Sequence, residues 1–187
     1  LDGQHGWQVA GEGGALVQAN AVFGSQAAVI DNASVSHEFT GGQTNVWVSC
    51  QLQMARGISP WVIPDDMAVV FYVNSGGHLC VYDGPECVVL PTLVPDGANR
   101  FDFHCDYAAR SWDLRFNREP VVSGFGFHGS SSVFHLMRLD AKGSGASGMD
   151  DVRIVFENPD TDGDGYTDDE EIQAGSDPES GNSIPVG

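Results

Sequence analysis

The sequence predicts an all-β protein, namely an antiparallel β-sandwich followed by an acidic loop and one short helix. Most of residues 1–157 alternate between apolar and polar side chains in short runs, which is the pattern of half-buried strands. Gly, Pro and Asn separate these runs, and no stretch before residue 158 has helical periodicity. Residues 158–187 break the pattern with a run of carboxylates. The chain is therefore expected to divide into a sandwich (1–157) and an acidic appendage (158–187).

The predicted strands follow one another along the body of the chain. In order they are NVWVSCQLQM (45–54), two strands around NSGG in MAVVFYVNSGGHLCVYDG (67–84), NRFDFHCDY (99–107), SWDLRFN (111–117), SVFHLMRLD (132–140) and DDVRIVF (150–156). Each has an apolar face, and together they can supply the two facing sheets that a sandwich needs.

The four cysteines fall into two pairs of different character. Cys50 and Cys105 lie in phase with the apolar residues of their strands, so we expect buried free thiols. Cys80 and Cys87 flank VYDGPE, a predicted turn that could bring them close across a hairpin. Pro85 removes an amide from that turn, so its register stays open.

Charge and hydropathy exclude several classes of function. The net charge is −18, and residues 150–187 hold 12 of the 26 acidic residues. A surface of this kind disfavours nucleic acid and anionic membranes as partners. No apolar run is long enough to insert into a membrane. The chain begins at Leu1 without a recognisable signal peptide, so we expect a mature product or an excised piece of a longer protein.

The run DTDGDGYTDDEE (160–171) has the spacing of a twelve-residue EF-hand calcium loop. The predicted ligands are the side chains of Asp160, Asp162, Asp164 and Glu171, the carbonyl of Tyr166, and Asp168 directly or through water. Gly165 stands where the loop needs a sharp turn, and hard oxygen ligands suit Ca²⁺. The alternative, a solvated acidic tail, would need neither this Gly nor a Glu at the twelfth place.

The flanks of the loop predict one helix rather than two. Pro159 argues against an entering helix, whereas DDEEIQAG can form an exiting helix over 169–174 that ends at Gly175. DTDGDGYTDDEEIQAGSDP resembles a bacterial thrombospondin type 3-like calcium repeat, to which dockerin loops are related. The resemblance implies a calcium-stiffened spacer between modules of a secreted or surface protein, and neighbouring modules as partners. Dockerins pair two loops to bind a cohesin, and only one such loop is present here.

The body of the chain carries a second resemblance. VWVSCQLQ, VVFYVNSGGHLCVYDG, RFDFHCDYAARSWDLRFNREPV and MDDVRIVF, in this order, are similar to a laminin G-like (concanavalin A-like) jelly-roll domain. The resemblance implies a jelly roll, a fold that serves carbohydrate-binding and adhesion modules as well as glycosidases and lyases.

The sequence contains no recognisable catalytic motif. It lacks the Glu-x-Asp-x-x-Glu strand often found in catalytic members of this superfamily, and it has no G-x-S-x-G elbow. We therefore expect a non-catalytic module of a secreted or cell-surface bacterial protein that binds calcium and either a glycan or another surface protein. A fragment of a polysaccharide-active hydrolase or lyase and a purely structural spacer are the alternatives.

A polar sheet face offers candidate glycan-binding residues. Alternation places Trp47, His104 and Arg115 on the outward side of three predicted strands, where an aromatic ring and polar groups could hold a sugar. The alternative is that a loop or the second sheet covers Trp47. Trp61 lies in the Pro-bracketed loop ISPWVIPDD and is either a binding residue or a loop anchor.

A weaker second calcium site is suggested by a neighbouring pair of carboxylates. MDDV (149–152) resembles the final strand of carbohydrate-binding jelly rolls, where an Asp helps to hold a structural calcium. Asp150 or Asp151 could do so with backbone oxygens from the N-terminal segment, and the alternative is a pair of surface carboxylates.

Overall fold

The structure, a computed structural model, describes residues 7–19, 26–57, 63–141, 145–156, 161–162 and 166–182. Its strands are β1 (Trp7–Ala19), β2 (Gln26–Gln43), β3 (Asn45–Gln53), β4 (Phe71–Val73), β5 (His78–Asp83), β6 (Glu86–Leu93), β7 (Asn99–Asp106), β8 (Ser111–Phe116), β9 (Glu119–Gly126), β10 (Phe134–Ala141) and β11 (Ser147–Val155). A single helix, α1 (Asp168–Ala174), follows them in the described part of the chain. None of the described helical residues belongs to a segment long and apolar enough to span a membrane.

The strands form two antiparallel sheets, so the predicted all-β sandwich is confirmed. The larger sheet has the order β1-β2-β11-β3-β7-β8-β9, with β10 paired to the second half of β2. The smaller sheet has the order β4-β5-β6. Strands β11, β3, β7 and β8 are neighbours at the centre of the larger sheet, and their outward side chains build the site described below.

The core lies between the two sheets. In β3, buried and partly exposed residues alternate, with Val46, Val48, Cys50 and Leu52 pointing inward. The facing sheet contributes Phe71, whose ring stacks on Phe101 of β7 at a centroid distance of 5.3 Å.

One buried polar group also joins the two sheets. The indole Nε1 of Trp112, a fully buried residue of β8, donates a hydrogen bond to the carbonyl of Tyr82 across the interface at 3.2 Å. Apolar burial and a satisfied polar group therefore both hold the sheets together.

The hairpin between β8 and β9 turns through Asn117 and Arg118. Both have positive φ, 50° and 73°, as two-residue hairpin turns of the primed type require. Asn tolerates this conformation, but Arg118 occupies a position that favours Gly and costs about 1–2 kcal/mol for other residues. Backbone strain of this kind tends to persist where the residue has a role, and the side chain of Arg118 makes contacts with the tail.

All four cysteines lie among the described residues and are free thiols. Cys50 and Cys105 are buried in the core, and burial raises the pKa of each thiol to about 12. Cys80 and Cys87 are not register partners, because the β5–β6 hairpin pairs Cys80 with Val89 and Cys87 with Tyr82. The tight turn between them is made by Gly84 and Pro85.

Four strands have no counterpart in the predicted set: β1, β2, β6 and β9. β1 and β2 are rich in Gly, Ala, Ser and Asn, residues that weaken the period-two signal. Residues 33–37 of β2 are nonetheless paired on both sides, with β1 on one side and β10 on the other. Backbone hydrogen bonding between strands therefore forms β1 and β2, although their sequences lack a clear alternating pattern.

Candidate functional site

The acidic loop joins β11 to α1, and the structure describes part of it. Asp162, Tyr166, Asp168 and Glu171 are described, whereas Asp160 and Asp164 lie outside the described residues. Within the described ranges, no three acidic, His or Cys side chains converge as a metal cluster. The predicted ligand set thus stays a prediction, and its described members are considered in turn.

The burial of Glu171 and Asp168 fits a cation site. Glu171 is 0% exposed and Asp168 is 9% exposed, although carboxylates are rarely buried. Removing such a group from water is costly unless opposite charge compensates it, and a calcium ion among hard oxygen donors would supply that charge. Tyr166 is 40% exposed. Its backbone carbonyl, not its side chain, is the predicted ligand.

Helix α1 begins with a capping box that fixes the orientation of Glu171. Thr167 is the N-cap; its Oγ1 accepts a bond from the amide of Glu170, and the Glu170 carboxylate accepts one from the amide of Thr167 at 2.9 Å. These hydrogen bonds from Thr167 lower the pKa of Glu170. Gly175 ends the helix in the left-handed conformation, with φ at 79°. The helix therefore covers the predicted 169–174 and starts one residue earlier.

Thr161 and Asp168 close the loop upon itself. The amide and Oγ1 of Thr161 donate to the two carboxylate oxygens of Asp168 at 2.8 and 2.7 Å. Arg153 of β11 donates in turn to Thr161 Oγ1 at 3.1 Å. Through Thr161 and Arg153, Asp168 holds the start of the loop next to β11. Its predicted role as a calcium ligand, directly or through water, stays a prediction.

The segment after α1 is fastened to the sheet by two arginines. Arg100 of β7 and Arg118 of the β8–β9 turn contact one carboxylate, that of Glu179, at 2.6 and 2.7 Å. Arg118 also contacts Asp177 at 3.2 Å. The pKa of Glu179 is lowered, chiefly by its hydrogen bond to Arg100. The acidic tail is therefore docked on the sandwich by charge pairs. The sequence did not reveal them, since Arg100 and Glu179 are 79 positions apart.

A pocket of about 200 Å³ lies between the polar sheet face and the docked tail. The sheet side includes Trp47, His104 and Arg115, the three described residues predicted to bind a glycan. The tail side is formed by Thr161, Asp168, Ile172, Pro178 and Glu179. The structure thus brings together two predicted sites that the sequence treats separately, and it gives the polar face a second wall.

The polar groups of the pocket are mostly held in place. Trp47 stacks on His104, its register partner, at a centroid distance of 4.3 Å and an angle of 17°. His104 Nε2 lies 2.7 Å from Asn45 Oδ1, and its Nδ1 lies 3.4 Å from Asp113. Trp47 Nε1 is different, because it is buried with no hydrogen-bond acceptor among the described residues. Buried indole N–H groups usually have a partner, so this donor is an exception to the usual pairing.

The other predicted site residues are Trp61 and the pair Asp150 and Asp151 of the second predicted calcium site. Trp61 lies outside the described residues, so its predicted role stays a prediction. Asp150 and Asp151 sit at a bulge in the β11–β3 pairing, where Asp151 has φ of 48°. The Asp150 carboxylate accepts from the amide of Asp151, and Gln51 donates to Asp151 at 3.3 Å. No described contact brings a third oxygen donor group to this pair, so the second calcium site stays a prediction.

Comparison with known protein families finds a similarity for the acidic segment. Residues 160–178 match the model of the bacterial TSP3 repeat, a repeat of calcium-binding type. A comparison with curated proteins finds no match.

Solved structures with similar folds include a sialidase, with a TM-score of 0.57 and 12% identity over 85% of this chain and 17% of that chain. They also include domain 4 of AbnA, a GH43 extracellular arabinanase from Geobacillus stearothermophilus in complex with arabinotriose. Its TM-score is 0.51, with 12% identity over 79% of this chain and 81% of that chain. The carbohydrate binding module CBM66 from Bacillus subtilis is less similar, with a TM-score of 0.44 and 8% identity over 80% and 94% of the two chains. This chain spans under a fifth of the length of the sialidase, and at these identities the sialidase and arabinanase domains share its β-sandwich fold.

Proposed function

We propose that the chain is a non-catalytic module that binds a glycan, with a calcium-loaded repeat attached, in a secreted or cell-surface bacterial protein. The pocket beside Trp47 is the observation that carries the proposal. It joins an aromatic ring, a buried indole donor with no acceptor in the described part of the chain, and several fixed polar groups. Small-molecule sites combine an apolar surface with a few placed polar groups in this way.

The comparison with the arabinanase domain supports this proposal. That domain has a similar fold and was solved with arabinotriose. One fold can serve many functions, so the proposal rests mainly on the residues that line the pocket. The bacterial TSP3 match and the resemblance to secreted modules support a location outside the cell.

Calcium is the proposed ion of the repeat. The proposed ligands are Asp160, Asp162, Asp164, Asp168 and Glu171 by side chain, with Tyr166 by its carbonyl. The buried position of Glu171 supports this assignment, because a divalent cation would offset the desolvation of its charge.

A glycan array with the intact chain in calcium tests the proposed function. We expect binding to a restricted set of glycans, and binding should be lost in Trp47→Ala while folding is kept. Trp61→Ala tests the other predicted contact. An array without any binding would contradict glycan recognition and favour a structural spacer, and unchanged binding by Trp47→Ala would contradict this site.

A catalytic role is the second candidate, because Asp102, His104 and Asp113 line one pocket. Two carboxylates at a pocket are what a glycosidase requires. Both are engaged here: Asp102 by Ser49 at 2.6 Å and by Arg100, and Asp113 by the amide of Gly124 at 2.8 Å. We therefore favour binding, and the release of products from polysaccharides incubated with the chain would establish the alternative.

A further inference from the structure

The proposed glycan pocket has two walls that come from distant parts of the chain. One wall is the outward face of β3, β7 and β8, and the other is formed by the tail residues Thr161, Asp168, Ile172, Pro178 and Glu179. In the tail, Pro178 is buried and Ile172 is half-buried, so it contributes apolar surface as well as charge. Removing the tail would leave Trp47 on an open sheet face rather than in a pocket.

The tail wall is attached at both of its ends. At the near end Arg153 binds Thr161, and at the far end Arg100 and Arg118 share the carboxylate of Glu179. A single exposed ion pair contributes little to stability. Two guanidinium groups on one carboxylate restrain its orientation more than one pair does. The attachment fixes where the wall stands relative to Trp47.

The attachment at the near end runs through the calcium-type repeat itself. Thr161, which Arg153 holds, donates twice to Asp168, and Asp168 begins the helix that carries Glu171. Without a cation, the loop carboxylates repel one another, and a helix of seven residues is too short to be stable alone. Loss of calcium should therefore release the wall, although the sandwich keeps its own core.

The charges around the pocket indicate the class of sugar. Arg100 and Arg118 are already paired with Asp102, Asp177 and Glu179. With Arg115, Arg153, Asp113 and Asp168 included, the pocket is lined by four arginines and four carboxylates, so it offers no excess charge to an ionised sugar. A volume of about 200 Å³ lies below the roughly 300–1,000 Å³ of sites for drug-sized ligands, which suits a single sugar unit.

We infer that the tail residues Thr161, Asp168, Ile172, Pro178 and Glu179 form a calcium-dependent wall of a pocket that takes one neutral sugar unit. This inference rests on the glycan-binding function proposed above. It goes beyond a spacer role for the repeat, since it makes the repeat a part of the binding site.

The wall itself can be tested with calcium alone. The indole N–H signal of Trp47 in a proton–nitrogen correlation spectrum, assigned through Trp47→Phe, should move when calcium is chelated. Glu179→Gln should reduce the calcium-induced movement, whereas Glu86→Gln, at an exposed position at the start of β6, should leave it intact. A Trp47 signal at the same position with and without calcium would overturn the inference that calcium holds the tail beside Trp47.

Sugar binding separates this inference from the proposed function. With arabinotriose as a neutral probe and a glycan array that includes acidic sugars, we expect neutral glycans to bind in calcium and to bind several-fold more weakly in chelator or in Glu179→Gln. Equal binding with and without calcium would overturn the inference while keeping glycan recognition. Binding confined to carboxylate-bearing sugars would overturn the assigned sugar class. Failure of every glycan to bind would remove both proposals, even if the Trp47 signal responds to calcium.

Discussion

Thr161 donates two hydrogen bonds to Asp168, one from its amide and one from its hydroxyl, at 2.8 and 2.7 Å. The two residues are the second and ninth of the twelve-residue loop, so this pair closes the loop at the base of α1. Because Arg153 also donates to the same hydroxyl, the pair connects loop closure to β11.

Replacing Thr161 with Val should weaken calcium binding. The change keeps the shape of the side chain but removes the hydroxyl bond to a largely buried carboxylate. Hydrogen bonds to charged groups contribute about 1.5–3 kcal/mol. Calorimetric titration with calcium should show a lower affinity for Thr161→Val. Thr161→Ser retains the hydroxyl and serves as the control, and equal affinities for the Val and wild-type proteins would contradict a role in loop closure.

Glu171→Gln should reduce calcium affinity more than Glu170→Gln does. Glu171 is completely buried and is the predicted bidentate ligand, whereas Glu170 is exposed and caps the helix. Hydrogen exchange over the described residues 166–175 should show protection that depends on calcium in wild type and in Glu170→Gln, and loses that dependence in Glu171→Gln. If protection is the same with and without chelator in the wild-type protein, the loop is not a calcium site.

The sequence predicted those elements whose side chains alternate most clearly. β3, β7 and β8 carry large apolar residues on one face, and the inward positions of Val48, Phe101 and Trp112 follow from that alternation. β1 and β2 were missed because small residues give no such signal. The acidic loop was visible because its ligands are close in sequence.

The docking of the tail could not be derived in the same way. It depends on Arg118 in a hairpin turn and on Asp177 and Glu179 near the end of the chain. Such contacts need the three-dimensional path of the chain, which local patterns do not provide. For the same reason the sequence left open whether Trp47 lies on an open polar face or under a loop or the second sheet, whereas the structure places it in a pocket beside the tail.

Lowering the pH should release the tail from the sheet. The pKa of Glu179 lies below its ordinary value of 4.5, so its ion pairs contribute stability above about that pH. This contribution is lost as the pH falls through the lowered pKa, because a protonated Glu179 no longer attracts Arg100 and Arg118. The Trp47 indole signal should report the transition in acid. Glu179→Gln should lack this transition, and an identical acid response in that variant would show that Glu179 is not its source.

Cys50 and Cys105 should not react with thiol reagents in the folded protein. Burial raises the pKa of both thiols to about 12, so the reactive thiolate is scarce near neutral pH and access is blocked. Cys87 is exposed and should label first. Mass spectrometry of peptides after brief labelling should show Cys87 modified, and denatured protein should show all four. Rapid native labelling of Cys50 or Cys105 would contradict the inward orientation of their strands.

Arg118→Gly should loosen the tail without weakening the sandwich. Arg118 has a positive φ that costs roughly 1–2 kcal/mol for a residue with a Cβ, and Gly removes this strain while it adds entropy to the unfolded chain. The two effects oppose each other, so thermal unfolding of the sandwich should change little. Removing the guanidinium breaks the contacts to Asp177 and Glu179, so proteolysis of the segment after β11 should become faster. Arg118→Gln keeps the strain and loses the charge, and it should loosen the tail equally while lowering sandwich stability relative to the Gly variant. A tail that resists proteolysis in both variants would show that apolar packing around Pro178, rather than the arginine, holds it in place.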